Sequence, residues 1–511
     1  MLKKSADHNL AGSHAGIAAI APSASPAAFG MGSALVLVAA AIIAWLVYSY
    51  GYIEDDAFIH LEFARSVSEG LGFSFNGRFV NGDTAPLWVL LLAASHALGF
   101  GWIAAAKMLG GLGIAVAMTG VWRICHELAG DAAQHRHLAL FALLLTSLNP
   151  YFVHWSFSGM EAVTSLGVSV WAIWAGFPLH GGNWPRLWTG ALAVSLAPLL
   201  RPELMLLAVI TGPALLYQAW RLSAPSPSGR RFATLGLLAV LMALPSLLWS
   251  AYAFHSFGAL VPTTNAAKRS GNFIAVTTKL ISVYLVGFAG ILATLPFVAR
   301  RLARAGIPAA IWILLLWPLA CAAFYLINHT AVQTRYCLLS MPSLAIAVLW
   351  LLEETAPPVR VRRVVAVMLA ISVATVALIV YPHVTNKLEL VRNVSAAAEF
   401  IRDKVPPDAP VAVYSIGQIA FEGRHPLIDI GGITRPGVLP YLNDLPATIR
   451  WARSQGARYY IGGDPPESHA ERVFSFAEPF LGWTFDRSRY ATSTTTGIYR
   501  FDDASTPAGG P

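Results

Sequence analysis

Long apolar runs separated by short polar segments dominate the first three quarters of the chain. A membrane-spanning helix needs about 20 apolar residues, because each residue advances about 1.5 Å across a hydrocarbon core of about 30 Å. Runs that approach or reach this length lie at 33–53, 102–124, 137–152, 162–179, 187–200, 203–220, 232–253, 279–299, 307–328, 336–353 and 364–382. This pattern predicts an α-helical polytopic membrane protein with about eleven transmembrane helices.

Residues 383–511 follow a different pattern. Short β-branched runs occur in "APVAVYSIG", "HPLIDIGG" and "ARYYIGG", and helical periodicity occurs at 386–404 and 444–455. Strand-like and helix-like segments that alternate in this way are typical of a small α/β domain. We therefore predict a soluble α/β domain after the last transmembrane helix.

The composition supports a membrane protein rather than a nucleic-acid-binding one. The 511 residues are 56% hydrophobic, and the mean hydropathy is +0.57. The net charge is +8, but the basic residues are scattered in short clusters between apolar runs. Basic residues placed in this way set the orientation of membrane loops and do not form a continuous surface for nucleic-acid phosphates. Cys125, Cys321 and Cys337 are not at metal-ligand spacing, so a disulfide or zinc framework is not expected.

Basic residues recur in every second loop, and the positive-inside rule assigns these loops to the cytoplasm. They are Arg123 and Arg136; Arg186; Arg221, Arg230 and Arg231; Arg300, Arg301 and Arg304; and Arg360, Arg362 and Arg363. Residues 1–32, with Lys3 and Lys4, read as a disordered cytoplasmic tail. An odd number of spans then places the first loop, 54–101, and the C-terminal domain in the periplasm. The apolar segment 85–100 is expected to lie along the interface, because counting it as a span breaks this charge pattern.

The first outer loop begins with two adjacent carboxylates, Asp55 and Asp56. Acids at the end of a span are often simply solvated. Here an amphipathic helix follows, on which Asp56, His60 and Arg65 can share one face. A carboxylate at the membrane surface can act as a general base toward a hydroxyl nucleophile, while its neighbour orients it or helps to hold a cation. Adjacent acids can bind a divalent cation, but two carboxylates are too few to specify such a site.

Two further outer loops carry charges beside apolar runs. Glu161 begins one run, where it can stabilise the positive end of a helix dipole or bind a substrate. Arg201 and Glu203 in "LRPE" can form a mutual salt bridge or the polar wall of a cavity. These alternatives remain open from the sequence.

Three basic residues lie in loops where the positive-inside rule disfavours them. Lys268 and Arg269 follow "VPTTNAA", and Arg335 begins a later apolar run. A phosphate group is the natural partner for such cations, and a phospholipid headgroup is the simpler alternative.

The order of these motifs resembles the GT-C superfamily of integral-membrane glycosyltransferases, and most of all bacterial arabinofuranosyltransferases and related mannosyl-type enzymes. Their first pattern appears as "DDAFIHLEFARSVSEGLGFSFNGRFVNGDTAPLW" at 55–88, and a "SGLET"-like element appears as "SGMEA" at 158–162. "RPE" at 201–203, "VPTTNAAK" at 261–268 and "SIGQIAFEGRHPLIDIGGI" at 415–433 follow in the same order.

The resemblance covers most of residues 50–433 and implies an inverting transfer from a polyprenyl-phosphate sugar, with Asp55 as the catalytic base and Asp56 beside it. It implies a bacterial inner-membrane enzyme whose acceptor is an envelope glycan, glycolipid or protein. Ser415 replaces the usual Asp of the late element and Ala162 replaces a Thr, so the sugar and the acceptor are not carried over.

Two other classes of function compete with this interpretation. A transporter or flippase of lipid-linked saccharides would need polar groups near the middle of the membrane and usually an internal repeat, whereas the polar residues here gather at one face. A non-catalytic envelope-assembly subunit would use the outer domain as a binding module, with Asp55 and Asp56 merely solvated. An assay of sugar transfer separates all three.

Overall fold

A computed structural model describes residues 39–130, 132, 135–177, 181–269, 272–302, 306–465 and 470–502. The predicted tail at 1–32 lies outside the described residues. Helices and strands are numbered below in chain order within this part of the chain.

Helices account for most of the described chain. The helices are α1 Ala39–Tyr48, α2 Asp55–Ser68, α3 Pro86–Ala97, α4 Trp102–Ala129, α5 Leu138–Ser147, α6 Pro150–Trp155, α7 Ala162–Gly176, α8 Trp184–Leu200, α9 Met205–Leu222, α10 Ser228–Phe257, α11 Thr263–Ala267, α12 Phe273–Leu292, α13 Leu295–Leu302, α14 Ala309–Ile327, α15 Thr334–Leu338, α16 Met341–Thr355, α17 Pro358–Thr375, α18 Tyr381–Lys404, α19 Ile416–Gly423 and α20 Leu445–Ser454.

Six helical segments in the described part of the chain are long and apolar enough to cross a membrane. They are Trp102–Ala129, Pro202–Leu222, Ser228–Phe257, Phe273–Leu292, Ala309–Ile327 and Pro358–Lys404. Four shorter apolar helices, α1, α3, α5 and α7, have 10–17 residues. The predicted total of about eleven spans therefore remains a prediction.

Three predicted spans are broken in the described part of the chain, and one of them, 336–353, contains the end of α15 and the start of α16. The run 137–152 contains α5 and then α6, which starts at Pro150, where proline is well tolerated at the first turn of a helix. The run 279–299 contains the end of α12 and the start of α13. The segment 85–100 forms α3, whose 12 residues are too few to cross a bilayer core at 1.5 Å per residue.

The transition to the C-terminal domain lies inside a helix. The helical segment Pro358–Lys404 runs for 47 residues, and a π-helical stretch at Val376–Val380 joins α17 to α18. Hydropathy falls near residue 383, where the sequence predicts the domain to begin, but the backbone stays helical to Lys404. The last apolar run therefore continues directly into the polar helix that carries the domain.

The three strand segments predicted in the C-terminal domain are confirmed as its first three strands, and the structure adds two more. The strands in this domain are β3 Val411–Val413, β4 Leu427–Asp429, β5 Tyr459–Gly462, β6 Ala470–Pro479 and β7 Ser493–Phe501. They form a five-stranded sheet in the order β4-β3-β5-β7-β6, in which β3 pairs in parallel with β4 and β5 while β7 pairs antiparallel with β5 and β6. The helical predictions for 386–404 and 444–455 correspond to α18 and α20. A small hairpin, β1 Ser74–Phe75 and β2 Arg78–Phe79, follows α2.

The N-terminus of α19 packs against the start of α2. The carboxylate of Asp55 accepts hydrogen bonds from the backbone N–H groups of Gly417 and Gln418, at 3.2 and 2.9 Å. Ser415, the N-cap residue of α19, makes no capping bond with its own side chain, so Asp55 supplies the cap from another element. A Cβ at Gly417 would collide with the backbone oxygen of Asp55, so glycine permits this close approach.

Candidate active site

A cavity of about 240 Å³ opens beside α2. Its wall is built from α2, from the loop that precedes α3, and from the segments that lead into α7, α9, α11 and α15. The polar residues that line it are Asp56, His60, Asp83, Thr84, Glu161, Arg201, Glu203, Thr264, Asn265, Lys268, Tyr325, Asn328, Thr330, Arg335 and Tyr336. Apolar residues complete the wall, among them Ile433 of the C-terminal domain.

Backbone contacts bring the Lys268 segment to this wall. The N–H of Thr263 donates to the carbonyl oxygen of Asn81 at 2.9 Å, and the Thr264 hydroxyl donates to the carbonyl of Gly82. The N–H of Ala331 donates to the carbonyl oxygen of Lys268 at 2.9 Å, which ties α11 to the segment before α15. The "NGDT", "VPTTNAAK" and "HTAVQTR" stretches, far apart in sequence, therefore meet at one place.

Asp56 forms the centre of a charged cluster at the cavity. Its Oδ2 lies 3.0 Å from Lys268 Nζ and 2.6 Å from a guanidinium nitrogen of Arg335. Burial alone would raise the pKa of Asp56, but Lys268 and Arg335 hold it well below its usual range. The side chains of Asp56 and Lys268 are each 26% exposed, so incoming groups can reach both partners, whereas Arg335 is buried.

His60 bridges two carboxylates deeper in the wall. Its Nδ1 lies 2.6 Å from Asp83, and its Nε2 lies 3.3 Å from Glu161. Burial opposes protonation of His60, but Asp83 and Glu161 raise its pKa to about 10. Burial also opposes ionisation of Glu161, yet hydrogen bonding with His60 and the charge of Arg201 lower the Glu161 pKa to about 2.

Arg201 extends this network toward α14. Its guanidinium lies 2.6 Å from Glu161 Oε1 and also pairs with Glu203. The hydroxyl of Tyr325 donates to Glu203 at 2.6 Å, and the Arg201 guanidinium lies over the ring of Tyr336 at 4.8 Å. The salt bridge between Arg201 and Glu203 therefore forms, and the same two residues also form the cavity wall.

The charges of the wall are balanced when His60 is protonated. The carboxylates are Asp56, Asp83, Glu161 and Glu203, and the permanent cations are Arg201, Lys268 and Arg335. Burying ionised groups costs free energy, and an apolar replacement of a buried ion pair is often as stable. A network of this size is therefore poorly explained by stability alone, and perturbed pKa values in a cleft favour a functional role.

Three of the residues that sequence analysis selects lie away from the cavity. Asp55 caps α19. Burial raises the pKa of Asp55 to about 6, although the hydrogen bonds that Gln418 and Gly417 donate act to lower it. Arg65 pairs with Glu62 at 2.5 Å and donates to the backbone of Phe421 at 2.8 Å, so it does not share the cavity face of Asp56 and His60. Arg269 is exposed beside the cavity and is not part of its wall.

The remaining selected residues come together at the cavity. They are Asp56, His60, Glu161, Arg201, Glu203, Lys268 and Arg335.

The structure adds residues that sequence reasoning misses. Asp83 is buried against His60 and accepts the backbone N–H of Ala85 at 2.6 Å. It lies in the "NGDT" stretch of the first motif, so the motif contained the signal. Asn265, within the "VPTTNAAK" element, and Asn328 are hydrogen-bonded to each other at 2.9 Å, and neither is selected as a site residue from the sequence.

Comparisons with solved structures show what the overall fold of this chain is similar to. The crystal structure of ArnT from Cupriavidus metallidurans bound to undecaprenyl phosphate matches with a TM-score of 0.59 at 14% identity, over 93% of this chain and 99% of that one. The apo ArnT structure matches with a TM-score of 0.56 at 15% identity, over 92% and 98%. The cryo-EM structure of the arabinofuranosyltransferase AftD from Mycobacteria matches with a TM-score of 0.50 at 16% identity, over 91% of this chain and 40% of that one.

Comparisons of sequence alone do not identify a function. Residues 384–499 match a family model described as a domain of unknown function (DUF8728). No curated protein sequence matches the chain.

The structural matches confirm the fold that the motif order predicts. The chain has a fold similar to that of the ArnT and AftD structures, with a C-terminal sheet domain. It is a multi-pass membrane protein.

Proposed function

We propose that the protein is an inverting glycosyltransferase, which moves a sugar from a polyprenyl-phosphate donor to an acceptor hydroxyl at the cavity. The observation that carries this proposal is the cluster of Asp56, Lys268 and Arg335, a carboxylate held by two cations at an accessible wall. The ArnT structure with undecaprenyl phosphate supports the donor class, because it shares this fold over nearly its whole length.

The two cations provide a site for the donor phosphate. Lys268 and Arg335 currently share one carboxylate oxygen, and a phosphate with several acceptor oxygens competes well for both donors. As the bond between the anomeric carbon and the phosphate oxygen breaks, both electrons leave with the phosphate. The two cations stabilise the negative charge that develops there, so no acid is needed on the leaving group.

Asp56 is then the base toward the acceptor. When the phosphate engages Lys268 and Arg335, Asp56 loses the partners that depress its proton affinity. Its carboxylate takes the proton of the acceptor hydroxyl while the hydroxyl oxygen bonds to the anomeric carbon from the face opposite the phosphate. The products are the glycoside, the polyprenyl phosphate and the proton held on Asp56.

In this proposal the two adjacent aspartates have different roles, one catalytic and one structural. Asp56 faces the reacting groups, and Asp55 fixes the start of α2 through its bonds to Gly417 and Gln418. The other wall residues, His60, Glu161 and Arg201, bind and orient the sugar through their hydrogen-bonding groups. The resemblance in sequence implies Asp55 as the base, whereas the contacts of the two carboxylates support Asp56.

The loop charges support one orientation in the membrane. We propose that the cavity and the C-terminal domain face the periplasm of a bacterial inner membrane, because the arginine-rich loops then lie in the cytoplasm. The acceptor is an envelope glycan, glycolipid or protein.

A transfer assay tests the proposal. Membranes that contain the protein are incubated with radiolabelled polyprenyl-phosphate sugars and envelope material, and the label that leaves the lipid fraction is counted. Wild-type protein is expected to transfer label from at least one donor, and Asp56→Asn is not. A protein that moves intact lipid-linked sugar across vesicles without cleaving the phosphate bond would be a transporter, and this result would contradict the proposal.

A further inference from the structure

A second group of metal-ligating side chains lies outside the cavity. Glu54, at the N-cap of α2, meets His154 of α6 and His383 of α18. One ligand atom of each lies within 4.8 Å of the other two, and Glu54 Oε1 is 3.7 Å from His154 Nε2. None of the three residues lines the cavity described above.

Both histidines are buried and incompletely hydrogen-bonded. His154 is 2% exposed and His383 is 4% exposed, and the Nδ1 atom of each has no hydrogen-bond partner in the described part of the chain. Their rings lie 4.9 Å apart, and each also contacts Trp483. A buried polar nitrogen without a partner is unfavourable and needs an explanation. In His154 the atom that faces Glu54 is Nε2, so the case for a metal rests on the closeness of the three ligand atoms.

The donor set identifies the class of ligand. Two neutral imidazoles and one carboxylate suit borderline metal ions such as Zn²⁺, whereas Mg²⁺ and Ca²⁺ prefer sites made of oxygen atoms. With bonds of about 2.1 Å, ligand atoms of a tetrahedral zinc site stand about 3.4 Å apart, close to the 3.7 Å between Glu54 and His154. We propose that Glu54, His154 and His383 bind one Zn²⁺-type divalent metal ion.

Neighbouring groups orient the carboxylate for this role. Lys387 Nζ lies 2.8 Å from Glu54 Oε2, which leaves Oε1 turned toward His154. The Tyr52 hydroxyl is 2.6 Å from Oε1 and 3.3 Å from His154 Nε2, so its oxygen is within reach as a fourth ligand. Hydrogen-bonded partners of this kind commonly hold the ligands of a metal site in place.

The metal ion would join three distant parts of the chain. Glu54 directly precedes Asp55 and Asp56, His154 follows α5, and His383 lies where the last apolar segment leads into the C-terminal domain. A metal held by all three fixes the start of α2 against the helix that carries the domain. This role is structural and does not depend on the proposed transfer reaction.

Metal content of the full chain, purified in detergent through a histidine-free tag, tests the proposal. Wild-type protein supplied with Zn²⁺ and then dialysed against metal-free buffer is expected to retain about one metal ion per chain, by mass spectrometry of the metal. Glu54→Gln, His154→Gln and His383→Gln are each expected to lose most of it. His255→Gln, which changes an exposed histidine on α10, is the matched control and keeps the metal.

A second measurement covers variants that fail to fold. Zn²⁺ added to metal-stripped wild-type protein is expected to raise the Tm, and Co²⁺ is expected to give the visible absorption of a low-symmetry nitrogen–oxygen site. The proposal is overturned if wild-type protein retains no metal and its Tm does not respond to Zn²⁺. Metal retention in folded His154→Gln and His383→Gln at the wild-type level would overturn it as well.

Discussion

The cavity wall and the face of α2 that meets the C-terminal domain use the same kinds of side chain in opposite ways. At the cavity, Asp56 pairs with the charged ends of Lys268 and Arg335 and remains partly accessible. At the domain contact, Asp55 and Arg65 bond to backbone groups of α19. Backbone partners cannot move away to a ligand, whereas long cationic side chains can. The type of partner therefore distinguishes a carboxylate available for chemistry from one that holds the fold together.

Exchanging each aspartate for asparagine tests this distinction most strongly. Asp56→Asn is expected to lower the transfer rate by about 10²–10⁴-fold, because a general base is lost. Asp55→Asn keeps one acceptor oxygen for the α19 N–H groups, so it is expected to lose less activity. Rates of label transfer at saturating donor measure both. The assignment of Asp56 as the base would be contradicted by an Asp56→Asn enzyme with the wild-type transfer rate. A larger loss of transfer rate in Asp55→Asn than in Asp56→Asn would contradict it as well.

Removing a cavity cation is expected to weaken donor binding. Lys268→Met removes a charge-assisted hydrogen bond worth about 1.5–3 kcal/mol, which corresponds to about a 10–100-fold increase in KM for the polyprenyl-phosphate donor. Arg269→Met, one residue away but outside the wall, is the matched control and leaves KM unchanged. Equal effects of the two substitutions would indicate a general surface charge effect and not a phosphate site.

A methyl group at the domain contact is expected to destabilise it. Gly417→Ala places a Cβ against the backbone of Asp55, and such overpacking costs about 1–3 kcal/mol. Faster hydrogen exchange or proteolysis in residues 411–430 would report the loosened contact. Gly463→Ala, in the same domain with open space around the new Cβ, is the control. Unchanged protection in Gly417→Ala would show that the contact is looser than the structure indicates.

The pH dependence of stability gives the smallest expected effect. The folded-state pKa of His60, about 10, lies above its ordinary value of 6.5. A histidine whose pKa is raised by folding stabilises the fold fully below pH 6.5. This contribution to stability is lost as the pH rises toward 10. The Tm of wild-type protein is therefore expected to fall more steeply over this window than that of His60→Gln. Parallel curves would contradict a protonated His60.

The sequence predicts much of the fold because its signals are local. Strands β3, β4 and β5 follow β-branched runs, and long apolar runs mark the main membrane helices. The start of the C-terminal domain is less well predicted, because α18 remains helical where hydropathy changes. Hydropathy also does not predict the break between α12 and α13, because apolar residues continue on both sides of it.

The site is predicted in part, for a physical reason. Charged residues are rare in this chain, so those beside apolar runs stand out, and seven of the selected residues line the cavity. Which of two adjacent acids faces the cavity cannot be read from the sequence, because neighbours on a helix point about 100° apart and the packing of α19 decides the orientation. Asp83 is missed because its contact with His60 exists only in the folded chain.

A cryo-EM structure of the protein with a polyprenyl phosphate would test the central claim most directly. The phosphate is expected within hydrogen-bonding distance of both Lys268 and Arg335, with the Asp56 carboxylate released from at least one of them. A phosphate bound at another surface, with the three side chains still paired to one another, would contradict it.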